Sequence, residues 1–241
     1  MENDIKFKSH NVFSYENDRR SKYWALIILI SSILIFFLSA LGLLDWLSEL
    51  TSGFLLHKLD YTNKWSKSFG PAWFVNLNGE FSALGGFPLM FIFFTVSAIY
   101  YHLRRESRRL WRLLFIVVVG GLLLLVAKII FAPEVPDELF EIMTNQISTF
   151  PSGHAMMGTI FYTTLAVAIS RRQHSRKTKR LTLVTGTVII ILICISRILP
   201  GTHSVSEVFA GWSLGMIWLC LCWILERKIK RGLNKETLLA R

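Results

Sequence analysis

Six long apolar runs, separated by clusters of basic residues, constrain this chain more than any other feature. They lie at about 23–44, 84–101, 113–131, 152–170, 181–199 and 204–225. Each approaches the ~20 residues an α-helix needs to cross a bilayer. In hydrocarbon every backbone N–H and C=O must find a partner within the protein, and a helix supplies one internally. The chain is 52% hydrophobic and carries 18 Phe and 8 Trp, a composition suited to lipid contact rather than to an ordinary soluble core. The expectation is an all-α polytopic membrane protein with six transmembrane helices.

The placement of charge sets the orientation. The net charge is +11, and 22 of the 27 Lys and Arg residues fall in four blocks. These blocks are residues 1–22, 102–112, 171–180 and 226–241. Cytoplasmic segments of membrane proteins collect such residues, so the basic excess calls for no nucleic-acid partner. Both termini are then cytoplasmic. Residues 1–22 read as a cytoplasmic tail, 23–225 as the six-span domain and 226–241 as a basic cytoplasmic tail. The first run has full span length and lacks a small-residue cleavage pattern, so it reads as a retained anchor.

Within the domain, residues 45–83 carry Trp46, Trp65 and Trp73 among polar groups. Aromatic residues of this kind favour the membrane–water interface. This segment reads as one or two external interfacial helices, with a turn at Asn76-Leu77-Asn78-Gly79. Residues 132–150 form an external loop with Glu134, Asp137, Glu138 and Glu141 and no basic residue. Cys194, Cys220 and Cys222 all lie inside apolar runs, which argues against disulfides and Cys-based metal sites.

Several residues are out of character with the runs that contain them. Lys128 lies near the outer end of the third run, His154 near the outer start of the fourth and Arg197 near the outer end of the fifth. His203 and Glu207 begin the sixth. Alternating topology brings all of them to one membrane face, opposite the basic blocks. Ionisable groups in such positions are functional candidates by default.

Their chemistry is that of a phosphate site. Ser152 can cap the helix that opens at Gly153-His154, whose N-terminal amides and dipole favour an anion. Gly153 allows the anion a close approach to the backbone. Lys128 and Arg197 add positive charge, and an arginine can grip phosphate through two N–H groups. His203 and Glu207, four residues apart, share a helix face. A carboxylate accepting Nδ1–H would orient His203 and leave Nε2 free to attack phosphorus. His154 can serve as acid and then as base. A zinc site built from His154, His203 and Glu207 is conceivable by ligand type, but Lys128 and Arg197 would repel the ion. No metal or cofactor is therefore expected.

At these residues the chain resembles the type 2 phosphatidic acid phosphatase family of integral membrane lipid phosphatases. Its three signatures are Lys-x6-Arg-Pro, Pro-Ser-Gly-His and Ser-Arg-x5-His-x3-Asp. Here Lys128 and Pro136 keep the register of the first, with Val135 in the place of its Arg. Pro151-Ser152-Gly153-His154 matches the second, and Ser196-Arg197 with His203 and Glu207 the third, Glu replacing Asp. The resemblance covers about residues 84–225. It implies a His203 nucleophile, a His154 acid/base, a Glu207 orienter and phosphate ligands at Lys128, Ser152, Gly153 and Arg197.

The resemblance also implies a phosphorylated lipid as substrate. The reaction would be hydrolysis of a phosphate monoester or diphosphate at the outer membrane face, through a phosphohistidine. A lipid phosphotransferase and a non-catalytic phospholipid-binding protein remain alternative readings. Compact form and short tails suggest a bacterial inner membrane protein with its site facing the periplasm or outside.

Overall fold

The computed structural model describes residues 2–58, 72–131, 150–200 and 202–239, with side chains over 21–51, 72–131, 150–200 and 202–229. Val135, Pro136, the acidic stretch 132–149, Trp65 and Gly201 lie outside the described residues. Those described form eight helices and no strand. They are α1 (Glu2–Ala40), α2 (Asp45–Lys58), α3 (Ala72–Leu84), α4 (Phe87–Leu103), α5 (Ser107–Ile130), α6 (Gly153–Ser170), α7 (Arg176–Ile198) and α8 (Val205–Leu239).

The helices differ from the apolar runs mainly at their basic ends. The first and last helices continue through the segments read as tails, and α5 and α7 each begin inside a basic block. Lys and Arg are good helix formers, so the charges need not end a helix when the hydrocarbon does. The expected turn at Asn76–Gly79 is not there. Helix α3 runs through it, because the buried Asn78 side chain donates to the carbonyl of Ser196 on α7 at 3.0 Å. The chain breaks instead at Gly85-Gly86, just before Pro88 in the first turn of α4.

Five stretches of helix are long and apolar enough to cross a membrane among the described residues. They are Ser21–Ala40, Ala72–Leu103, Ser107–Ile130, Arg176–Ile198 and Val205–Ile229. Helix α6 is not among them, although it occupies the fourth expected span. It sits at the centre of the bundle, against α5, α7 and α8. Nine of its residues are buried, and Ile169 is its one exposed large hydrophobic side chain. A helix surrounded by other helices needs little lipid-compatible surface, and small or hydroxylated residues let its neighbours come close. The outer helices α1, α4, α5 and α7 instead expose rows of Leu, Ile, Val and Phe.

Two glycines set the packing around the start of α6. A Cβ on Gly211 of α8 would lie 2.3 Å from the carbonyl oxygen of Ser152, so only glycine lets α8 pass there. A Cβ on Gly85 would lie 2.6 Å from Ile193 Cγ2 and 3.3 Å from His154 Cδ2. The α3–α4 corner is therefore pressed against both α6 and α7. Tyr162 fixes it, donating its hydroxyl to the carbonyl of Leu84 at 2.8 Å.

The two ends of the bundle are chemically distinct. At one end Arg112 and Arg171 meet Glu226 at 2.9 and 3.9 Å, while Arg109 and Arg172 share Glu106. At the other, α2 meets the start of α8, where Ser48 Oγ accepts the Val205 N–H at 3.1 Å. Phe131 and Phe150 have ring centroids 4.9 Å apart and both pack on Phe36 of α1.

Replacing Gly211 by Ala should lower the stability of the detergent-solubilised protein by about 1–3 kcal/mol, because backbone must shift to admit the methyl group. Gly79→Ala, with no atom within 4 Å of the added carbon, should cause no such loss. Thermal unfolding midpoints of the two variants test this, and equal midpoints would refute the close α6–α8 approach.

Candidate active site

The residues singled out by charge and spacing converge at the end of the bundle opposite the Arg–Glu pairs. Lys128 lies in the last turn of α5 and Arg197 in the last turn of α7. Ser152 is the N-cap residue of α6, Gly153 and His154 open that helix, and Glu207 stands in the first turn of α8. His203 lies two residues before the start of α8. His154 is within electrostatic range of Arg197, His203 and Lys128, and Lys128 within that of Glu207.

The start of α8 is built as a reciprocal capping box. Ser204 Oγ accepts the Glu207 N–H at 3.1 Å, and Glu207 Oε2 accepts the Ser204 N–H at 3.2 Å. This satisfies two backbone donors that a helix start leaves without partners. The same Oε2 lies 2.7 Å from Nδ1 of His203, whose side chain is 11% exposed. With Nδ1–H donating to that carboxylate, Nε2 carries its lone pair away from α8. Two more bonds, one from His203 and one from its neighbour Thr202, tie this segment to the end of α7. Its N–H donates to the Arg197 carbonyl at 3.1 Å, and Thr202 donates its hydroxyl to the same carbonyl at 2.9 Å.

Helix α6 joins this unit through its cap. The Ser152 N–H donates to the Glu207 carbonyl at 3.0 Å. The expected capping role of the Ser152 side chain does not hold, since its hydroxyl makes no cap hydrogen bond. That hydroxyl is buried and has no hydrogen-bond partner among the described residues. The backbone bond to Glu207 has fixed the residue with its hydroxyl left over. Nε of Arg197 is likewise buried without a partner, while its Nη1 donates to Ser82 Oγ of α3 at 2.7 Å. Buried polar groups are ordinarily satisfied, and orphans of this kind beside a helix N-terminus mark a place for an oxyanion. A Cβ on Gly153 would lie 3.9 Å from Lys128 Cε, so the lysine stem passes directly over the opening turn of α6.

Two cavities flank the site. One of about 500 Å³ lies between the end of α1 and the starts of α2 and α8, with Asp45, Ser48, Glu49 and Glu207 in its wall. One of about 230 Å³ lies behind Arg197, lined in part by Asn78, Ser82 and Ser196. Among the described residues, no group of three or more His, Cys, Asp or Glu is arranged to hold a metal ion. Sequence reasoning missed Ser82, Gly85 and Ser204. The Ser204-x-x-Glu207 spacing is a legible capping signature. Ser82 and Gly85 carry no local signal, because their roles exist only where α3 meets α6 and α7.

Comparison with known proteins identifies the family. The profile of the PAP2 superfamily matches residues 109–231, a stretch that contains all seven of these residues. Phosphatidylglycerophosphatase B of Bacillus subtilis (strain 168) is 33% identical over 106 residues, which cover 44% of this chain and 48% of that protein. The aligned part thus spans about half the length of that relative. The crystal structure of a transmembrane PAP2-type phosphatidylglycerolphosphate phosphatase from Bacillus subtilis superposes with a TM-score of 0.60. That superposition covers 84% of this chain and 98% of the other at 24% identity, and it shows a shared fold. The apolar helices, the clustered residues and the extent of the profile match together establish that this multi-pass membrane chain belongs to the PAP2 superfamily.

Proposed function

We propose that this protein is a membrane lipid phosphatase that cleaves a phosphate monoester or diphosphate through a phosphohistidine. One observation carries the reading above the rest. A histidine held through Nδ1 by a carboxylate stands beside a helix N-terminus with an unsatisfied buried hydroxyl and guanidinium nitrogen. In the first step, Nε2 of His203 attacks phosphorus and the bond from phosphorus to the lipid oxygen breaks. His154, entering protonated, gives its proton to the leaving oxygen. In the second step, neutral His154 takes a proton from water as the water oxygen attacks phosphorus and the bond from phosphorus to Nε2 of His203 breaks. Inorganic phosphate leaves, and both histidines return to their starting states. Glu207 orients His203, while Lys128, Ser152, Gly153 and Arg197 hold the non-bridging oxygens. No step requires a metal.

Phosphatidylglycerophosphate is the first substrate to test, given the relatives' names. Polyprenyl diphosphate, phosphatidate and lipid A phosphate are further candidates. Transfer of the phosphoryl group to a lipid acceptor, or phospholipid binding without turnover, are the alternatives, and Val135 in place of the signature Arg favours the latter. Six spans, both termini in the cytoplasm and a site facing outward from a bacterial inner membrane complete the reading. The central position of α6 and the grouping of Arg–Glu pairs at the far end support that topology.

The purified protein should release phosphate from at least one of these lipids, and His203→Ala should abolish release while the protein stays folded. His154→Ala should slow it by about 10²–10⁴-fold, the usual worth of a positioned acid/base. Chelator should change nothing. Release undiminished in His203→Ala would remove the nucleophile, and no release from any lipid by folded protein would favour one of the two alternatives.

Glu207→Gln keeps a capping-box residue but loses the charge beside His203. It should retain thermal stability while phosphate release falls by about 10²-fold or more. Ser204→Ala should do the reverse, costing about 1 kcal/mol of stability with a smaller effect on release. If both variants lose stability and activity in parallel, the separation of the two roles is wrong. A reporter inserted after Asp137 should be found outside the cytoplasm; a cytoplasmic signal would overturn the topology.

A further inference from the structure

A sizeable cavity lies at the wrong end of the molecule for the chemistry just described. It has a volume of about 720 Å³ and is bounded by α4, α5, α6 and α8. Its deep wall is apolar, with Ile116, Phe161, Leu165 and Leu219 among its residues. Its mouth is basic, being lined by Arg108, Arg109, Arg112 and Arg171. Helix α6 runs 18 residues from His154's turn to Ser170. The mouth is therefore about 25 Å from the phosphate cradle along that helix.

Among the described residues, the cations at the mouth exceed the carboxylates that pair with them. Arg112 and Arg171 share Glu226, and Arg109 shares Glu106 with Arg172. Arg108 has no ion pair among the described residues. Among the described residues, five guanidinium groups, four of them in the cavity lining, thus meet two carboxylates, an excess of three positive charges at this end. Inside the cavity, the hydroxyl of Thr164 is shielded from solvent and makes no hydrogen bond. It stands two turns, about 10 Å, below Arg171 on α6. A hydroxyl in a helix ordinarily bonds to the carbonyl one turn back, and here it does not.

From these features we propose a second lipid site, for an anionic glycerophospholipid of the leaflet that contacts the basic end. The phosphate meets Arg108 and its neighbours, one acyl chain fills the cavity between α5, α6 and α8, and Thr164 donates to an ester oxygen. An acyl chain alone would fill the apolar wall but would leave the three charges and the hydroxyl unmet. A soluble anion would meet the charges but leave the cavity empty. A lipid with an anionic head satisfies all three, and basic pockets between spanning helices are suited to such heads. The lipid is a bound component and not the substrate, so the proposal does not depend on hydrolysis at His203.

The test is lipid retention by the full-length purified protein, followed by native mass spectrometry during titration with phosphatidylglycerol or phosphatidylcholine of the same acyl chains. One phosphatidylglycerol should bind in preference to phosphatidylcholine. Arg108→Gln should weaken that binding about fivefold, the expected effect of one interfacial arginine. Ala168→Phe, which fills the cavity from α6, should remove it. Arg197→Ala, at the opposite end, should leave it intact. If Arg197→Ala abolishes retention and Arg108→Gln does not, the lipid sits in the phosphate cradle and this site does not exist. Equal retention of the two lipids overturns it as well. Should Ala168→Phe fail to fold, Arg108→Gln and Arg108→Glu on the exposed rim decide the matter. Absence of phosphate release in a protein that still retains the lipid would count against the hydrolase reading alone.

Discussion

The hydrogen bond from the Ser152 amide to the Glu207 carbonyl holds the rest of the site in register. It ties the first residue of one helix start to the first turn of another, at 3.0 Å. It can form only because Gly211 lets α8 pass over the Ser152 carbonyl. Once made, it brings the opening amides of α6 beside the capping box of α8. His203 is then held between that box and the last carbonyls of α7. Three helices thus contribute through their ends, where backbone groups lack helical partners and side chains are free to approach one another. An anion site at such a junction requires few dedicated residues, because much of the positive field comes from backbone.

Much of this was legible in the chain. Apolar length marked the helices, and the alternation of basic blocks placed Lys128, His154, Arg197, His203 and Glu207 at one end, where the structure also brings them. Local patterns failed where tertiary contact overrides them. Asn76-Leu77-Asn78-Gly79 has turn composition, yet Asn78 is buried against Ser196 and the helix continues. Ser152 has the composition of a side-chain cap, yet its amide rather than its hydroxyl makes the joining bond. Hydropathy alone also underrates α6, because the helix that touches least lipid needs the fewest apolar residues. Ser82, which holds Arg197, could not be found from spacing at all, since it lies 115 residues away.

The apolar phase also explains why charge is confined to the two ends. Between them, helix contacts rest on close approach of small groups and on single donors such as Trp218, whose Nε1 donates to the Ile116 carbonyl at 2.8 Å. The basic end is laced by carboxylates shared between arginines, an arrangement that neutralises some charge and leaves a positive surplus among the described residues. The other end holds its cations next to orphaned polar atoms instead. The same residue types therefore serve two different purposes, and their partners distinguish them.

Glutamate at position 207 gains its meaning from this context. In the family signature that place is an aspartate, and the substitution alone looks like a loosened copy of the site. Yet position 207 is also the third residue of α8, where a glutamate reaches back to the cap amide. One oxygen, Oε2, lies 3.2 Å from the Ser204 amide and 2.7 Å from His203 Nδ1. The extra methylene thus lets one carboxylate close the capping box and hold the imidazole together. Rotation of Glu207 away from His203 would open the cap as well. The orientation of the histidine is therefore anchored to the folding of the helix that follows it.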